Sequence, residues 1–220
     1  MNSILQTGKS IGRALLVGCV AMMCSIAAYA EEGHKSLHQA IAAGDTALVI
    51  GLLSAGIDPD TPVEGTTAVQ RATRLGRNQI LQLLVSHKAR LTGDDVVYAA
   101  ELGNVFAVVL FIEQGLDVNS ADPYEMTALQ HAALNGHAAT VNALLERGAD
   151  VDAREVVQGY NALILASAHG YADVVALLLA KGADRNAVTE DGYTALSWAM
   201  ERAKPGSGHG RVIHLLRAGE

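Results

Sequence analysis

The chain has 220 residues, half of them apolar and only 18% charged, with a formal net charge of −7. That composition excludes a disordered tail, and the acidic balance excludes a protein that coats DNA or RNA. Beyond position 30 no apolar run approaches the roughly 18 residues of a membrane span, so stable membrane insertion of a mature chain is excluded as well.

The first thirty residues read as an export signal. Lys9 and Arg13 form a positive start without an acid, Ala14 to Ile26 supply the apolar stretch, and Ala28-Tyr29-Ala30 is a small-residue cleavage site ahead of Glu31 and Glu32. Cleavage after Ala30 is expected, giving a periplasmic or secreted chain. The rival is a lipoprotein, because Leu16-Val17-Gly18-Cys19 resembles a lipobox, although apolar sequence continues past Cys19. Both cysteines, Cys19 and Cys24, leave with the signal, so disulfides, thiolate metal sites and cysteine nucleophiles are excluded from the mature chain. Losing Lys9 and Arg13 leaves 14 basic residues against 23 acidic ones, a net charge of −9.

From residue 33 onward the chain repeats itself. Leu37, Val69, Val96, Leu129, Leu163 and Leu196 hold one position, at spacings of 32, 27, 33, 34 and 33 residues. Such a period means stacked repeats that cannot bury their faces singly. The predicted repeats are 33–64, 65–92, 93–124, 125–158, 159–190 and 191–220, each a pair of helices. First helices are expected behind Thr67, Asp94, Thr127, Asn161 and Thr194, whose side chains can accept a bond from an orphan backbone N–H. Small pairs such as Ala99-Ala100, Ala132-Ala133 and Ala166-Ser167 let neighbouring first helices approach. A twelve-residue ruler fixes the second helices: Gly44 to Gly56, Gly76 to Lys88, Gly103 to Gly115, Gly136 to Gly148 and Gly170 to Gly182. Gly56, Gly115, Gly148 and Gly182 should close those helices in the left-handed conformation, and Lys88 should share it. Pro59, Pro62, Pro123 and Pro205 all fall between predicted helices. The frame departs twice. About six residues are missing between Leu91 and Asp94, which shortens the link from the second repeat to the third, and Lys204 to Gly208 adds about four residues to the sixth, a loop expected to be mobile.

The runs Thr127-Ala128-Leu129-Gln130-His131-Ala132-Ala133 and Gly148-Ala149-Asp150-Val151-Asp152, with their counterparts Asn161 to Ala166 and Gly182-Ala183-Asp184-Arg185-Asn186, resemble the ankyrin repeat. The resemblance covers about residues 33–220, although Thr67-Ala68, Thr127-Ala128 and Thr194-Ala195 lack the proline of the family's T-P-L-H opening. It implies an all-α repeat fold, an ankyrin-like solenoid of about six helix-turn-helix repeats joined by β-turn fingers, here in an exported bacterial protein. It also implies a partner protein held on the concave side by finger tips and first-helix positions. Those positions are Tyr124, Met126, Leu134 and Asn135 in the fourth repeat, Tyr160 and His169 in the fifth, and Tyr193, Glu201 and Arg202 in the sixth. Exposed aromatic and Met side chains are what interface centres use. For Tyr160 and Tyr193 the alternative is packing against the adjacent finger. Phe106 and Val109 form a secondary apolar surface on the outward face of a second helix, where other repeats carry Gln79 and Gln82, or Asp173 and Ala176; a packing shift in the shortened repeat explains them equally well.

No chemistry emerges beside this surface. His34 and His38 stand four apart, as helical metal ligands do, but no carboxylate completes a set, and the resemblance gives His38 and His137 hydrogen-bonding roles within their repeats. Neither a metal nor a cofactor is expected, and the mature chain has no nucleophile elbow or phosphate loop. The expected function is non-enzymatic binding of another protein, as a scaffold or adaptor of the cell envelope. One alternative is an immunity or inhibitor protein that neutralises a toxic enzyme, aided by the acidic charge if the target is basic. The other is a hydrolase with an unrecognised site.

Overall fold

The computed structural model describes residues 31–218, so the export signal and Cys19 lie outside the described residues. Two units divide the chain, residues 1–71 and 72–220. In the first, residues 31–43 are helical (α1) and bury Leu37, Ala40 and Ile41, while α2 (Thr46–Ser54) buries Val49 and Leu53. Asp45 starts α2 by accepting from Leu48 N at 3.0 Å. A turn closed by the antiparallel bridge of Val63 with Thr66 leads to α3 (Ala68–Arg74). Thr67 Oγ1 accepts from Gln70 N at 3.1 Å and Gln70 Oε1 accepts from Thr67 N at 3.2 Å, a reciprocal cap that satisfies two orphan donors.

The second unit is an all-α repeat solenoid. After α4 (Asn78–Ser86), first helices α5 (Gly93–Glu101), α7 (Ala128–Leu134), α9 (Ala162–His169) and α11 (Ala195–Glu201) pack in one row. Second helices α6 (Val105–Glu113), α8 (Ala138–Glu146), α10 (Ala172–Ala180) and α12 (His209–Arg217) form the other row, with α4 against α6. Ala99, Ala100, Ala132, Ala133 and Ala166 are fully buried, so first helices approach closely, and Leu144, Val175 and Leu178 fill the space behind them. Helices α4, α6, α8 and α10 each have nine residues, as the twelve-residue ruler requires. Lys88 follows α4 at φ 63°, in the left-handed region that Gly115, Gly148 and Gly182 occupy in later repeats.

Thr127, Asn161 and Thr194 cap α7, α9 and α11, accepting from Gln130 N at 3.3 Å, Ile164 N at 2.9 Å and Ser197 N at 3.1 Å. The third repeat corrects the expectation for Asp94. Its first helix begins earlier, at Gly93, and the cap is Thr92, whose backbone N–H and hydroxyl both donate to Asp95 Oδ2, at 2.8 and 3.0 Å. With only residues 87–92 between α4 and α5, the chain must turn straight into the helix.

Side chains also tie repeat to repeat. Asp117 Oδ1 accepts from Asn119 N, Asn119 Oδ1 from Asp150 N, Asp150 Oδ1 from Asp152 N, and Asp152 Oδ1 from Asp184 N, all at 2.8–3.0 Å. This ladder runs across three repeats. His137 corrects a second expectation, since its Nε2–H donates to Glu101 O at 2.9 Å in the preceding repeat rather than within its own. In the sixth repeat the four extra residues bring His209 to the corresponding place, with Nε2 3.2 Å from Ala168 O and Nδ1 2.9 Å from Ser207 Oγ. Ser207 Oγ also donates to Lys204 O at 2.7 Å, so the insertion folds back as a hydrogen-bonded turn.

Candidate partner-binding site

Two fingers of the second unit place its aromatic side chains. In the finger between α8 and α9, the carboxylate of Glu155 accepts from Val157 N at 2.6 Å, Gln158 N at 2.7 Å and Tyr160 N at 3.1 Å. Burial pushes the Glu155 carboxyl up, but these backbone donors outweigh it and hold it below the ordinary glutamate range. Tyr160 is held from the other side too: its carbonyl accepts from Glu155 N at 3.1 Å and from Gln130 Nε2 at 2.7 Å. Gln130 is thus both half of the α7 cap and the brace of the next finger. In the finger between α10 and α11, buried Thr189 accepts from Tyr193 N on Oγ1 at 3.1 Å and donates its own N–H to Tyr193 O at 2.9 Å. The two fingers join where Glu190 N donates to Gln158 O at 3.0 Å.

Both tyrosines converge on Trp198 of α11. Ring centroids lie 5.9 Å apart for Tyr160 and 5.3 Å for Tyr193, both tilted. Arg202, one turn further on, sets its guanidinium 4.8 Å from the Trp198 centroid and makes no ion pair among the described residues. The Trp198 indole N–H is shielded from water and has no acceptor among the described residues. Beside this cluster lies a cavity of about 170 Å³ with Ile164, Leu165 and Ala168 as its apolar lining, Tyr160 and Trp198 as aromatic lining, and His169 and Arg202 as its polar groups. Burial raises the Tyr160 phenol, the nearby Arg202 charge opposes that, and Asp191 and Glu155 add to it; the net shift is upward.

The other expected residues lie apart from this cluster. Tyr124 is 69% exposed on the finger ahead of α7, and half-buried Met126 follows it. Asp122 holds that finger, accepting from Tyr124 N and Met126 N on Oδ1 and lying 2.9 Å from His131 Nε2 through Oδ2. Leu134 is half-buried at the end of α7, and exposed Asn135 donates back to His131 O at 2.9 Å. Glu201 is exposed beside Arg202. Phe106, 38% exposed, and half-buried Val109 lie on α6, in the other helix row. Sequence reasoning passed over Trp198, the single Trp of the chain, and Val156 and Val157, 62% and 66% exposed at the tip of the Glu155 finger. Trp198 was visible as the residue four before Arg202, but its place in the frame read as a helix interior.

A larger cavity, about 620 Å³, lies in the first unit. Its charges are spent on one another, Lys35 on Glu31 at 2.7 Å and Arg71 near Glu64 at 3.7 Å. His38 is buried there against Thr61, with its ring held below the ordinary histidine range mainly by burial, and neither ring nitrogen makes a hydrogen bond of normal geometry. Among the described residues no group of His, Asp and Glu could hold a metal ion, and no helix is long and apolar enough to cross a membrane.

Family models described as ankyrin repeats match residues 96–155 and 158–199, the stretch that builds these fingers and helices. This is an ankyrin-repeat protein. Ankyrin repeats are generally non-catalytic modules that bind other proteins through extended surfaces. The chain is similar to the mouse Ankyrin repeat and SAM domain-containing protein 6, 38% identical over 108 residues, which are 48% of this chain and 12% of that protein. It is similar to Ankyrin repeat and KH domain-containing protein mask-1 of Caenorhabditis elegans, 31% identical over 181 residues, 80% of this chain and 7% of that one. Mouse Protein phosphatase 1 regulatory subunit 27 is 28% identical over 125 residues, 56% of this ankyrin-repeat chain and 80% of the relative. This chain therefore spans only a small part of the first two relatives.

Proposed function

We propose that this ankyrin-repeat chain is an exported, non-enzymatic adaptor of a bacterial cell envelope, which binds a partner protein through the fifth and sixth repeats. The observation that carries the reading is the cluster of Tyr160, Tyr193, Trp198 and Arg202 around one small apolar cavity on the first-helix row. Rigid aromatic rings and an arginine are the side chains that dominate binding energy at interface centres. Braced fingers lower the ordering cost of using them. Tyr124, Met126, Leu134 and Asn135 extend the surface into the fourth repeat.

Affinity capture from the native envelope fraction tests it. Tyr193→Ala should weaken partner binding by more than about 1 kcal/mol, and Tyr160→Ala likewise, while Gln79→Ala leaves it unchanged. Folding of each variant is checked by circular dichroism. Full binding by folded Tyr160→Ala and Tyr193→Ala moves the interface elsewhere, to Phe106 and Val109 first. Export rests on the signal pattern alone, and sequencing the native N-terminus decides it: Glu31 supports it, a lipid-modified Cys19 replaces it with an anchored form. A second reading, an inhibitor of an enzyme in the same compartment, is favoured by the relative named as a phosphatase regulatory subunit and by the net charge of −9. A captured partner with enzymatic activity that falls on binding would select it.

A further inference from the structure

The cavity beside Trp198 is small, has an apolar lining, and holds cationic or hydrogen-bonding groups without an acid. At about 170 Å³ it approximates the volume that admits one benzene-sized group in an apolar cavity, which is room for a single Leu, Met or Phe side chain. Arg202 lines the same cavity. No carboxylate does, and Arg202 has no anionic partner among the described residues, so the guanidinium there is stacked on an aromatic face with its hydrogen-bonding fork unspent on an acid. Because the cation and the apolar lining belong to one cavity, a matching anion must stand within a side chain's length of the inserted group.

We infer that this cavity captures the C-terminal residue of a partner protein, with its apolar side chain inside and its terminal carboxylate on Arg202. A C-terminal Leu carries both groups on one Cα. An internal acidic residue next to an apolar one points its carboxylate to the opposite side of an extended strand. His169 can sit beside the same anion through a bound water, since its Nδ1–H is committed to Leu165 O at 3.0 Å and Nε2 remains to accept from that water. The inference rests on the protein-binding reading of the fifth and sixth repeats and narrows it to a chain terminus.

Trp198 is the only Trp, so its fluorescence reports on this cavity alone. The probes are N-acetyl-leucine, N-acetyl-leucinamide, N-acetyl-alanine and the internal mimic N-acetyl-leucyl-aspartic acid α-amide, whose side-chain carboxylate is free, titrated into the full mature chain. N-acetyl-leucine should give a saturable change in the millimolar range that a ligand of this size can reach. The amide should bind about fivefold more weakly, the scale of one exposed charge pair. N-acetyl-alanine should bind more weakly still, and Arg202→Gln, with folding verified, should erase the difference between acid and amide while keeping that between Leu and Ala. Equal binding of acid and amide, tighter binding of the internal mimic, or no saturable response overturns the inference. If the probes fail while Tyr193→Ala still loses the captured partner, the terminus falls and the protein-binding reading stands. If they bind as expected while Tyr160→Ala and Tyr193→Ala keep the partner, the cavity prefers a terminal carboxylate but the capture of a partner's terminus in it is overturned.

Discussion

The link from α4 to α5 runs over six residues, 87–92, and the link from α8 to α9 over fifteen, 147–161, yet both leave a second helix through a left-handed residue and both deliver a capped first helix. The short link spends Thr92 and Asp95 on the cap and has nothing left to display. The long one closes around Glu155, presents Tyr160 to Trp198 and exposes two valines. Helix layers therefore tolerate links of very different length, because they are held by buried alanines and leucines, while the candidate site exists only where a finger is built.

Four changes break or sharpen that contrast. Leu178→Ala, in a fully buried layer position, should cost about 2–5 kcal/mol in urea unfolding. A smaller loss would mean the fingers carry more of the stability than the layers do. Glu155→Gln should cost about 1–3 kcal/mol near neutral pH, since it weakens a charged acceptor of three backbone donors. The sign with pH follows from a folded-state carboxyl held below its ordinary range. Its stabilisation is present above the unfolded glutamate range and disappears as pH falls through the lower folded value, so wild type and Glu155→Gln should converge in stability under acid. A constant gap down to acid pH would show that packing, not charge, holds the finger. At the short link, Lys88→Gly should raise stability by about 1 kcal/mol, because Lys88 sits at φ 63°. An unchanged midpoint would show the strain to be already relieved. Val156→Ser with Val157→Ser should alter stability by no more than about 0.5 kcal/mol, as expected of exposed tips, and any larger loss would mark the tip as structural.

Most of the scaffold could be read in the sequence because its rules are local. A glycine or lysine twelve residues after another stop sets helix length, and a Thr or Asn before an apolar run sets a start. Asp94 failed because a cap competes with its neighbours: Thr92 and Asp95 satisfy each other, and the helix begins two residues earlier. His137 was misplaced because spacing within a repeat does not reveal which repeat supplies the acceptor. The candidate site was half legible. Its tyrosines stood out at finger positions, but Trp198, Ile164 and Leu165 come together only when α9 packs on α11, and the hold of Glu155 on the finger depends on a turn whose shape no periodicity encodes.

The hydrogen-bonded ladder through Asn119, Asp150, Asp152 and Asp184 sets how such a molecule can change size. Each crossing rung joins a side chain of one repeat to a backbone N–H of the next, and a backbone N–H is the same whatever the residue. A whole repeat cut out, residues 125–158 for example, would bring Asp184 N to the place Asp150 N now holds, and Asn119 would find the donor it needs. A cut of any other length would leave the rung without a donor and the twelve-residue spacing out of step. The molecule can therefore shorten or lengthen only in quanta of one repeat, and loss of the fourth would take Gln130 and Glu155 away from Tyr160 while Tyr193 keeps its contact with Trp198.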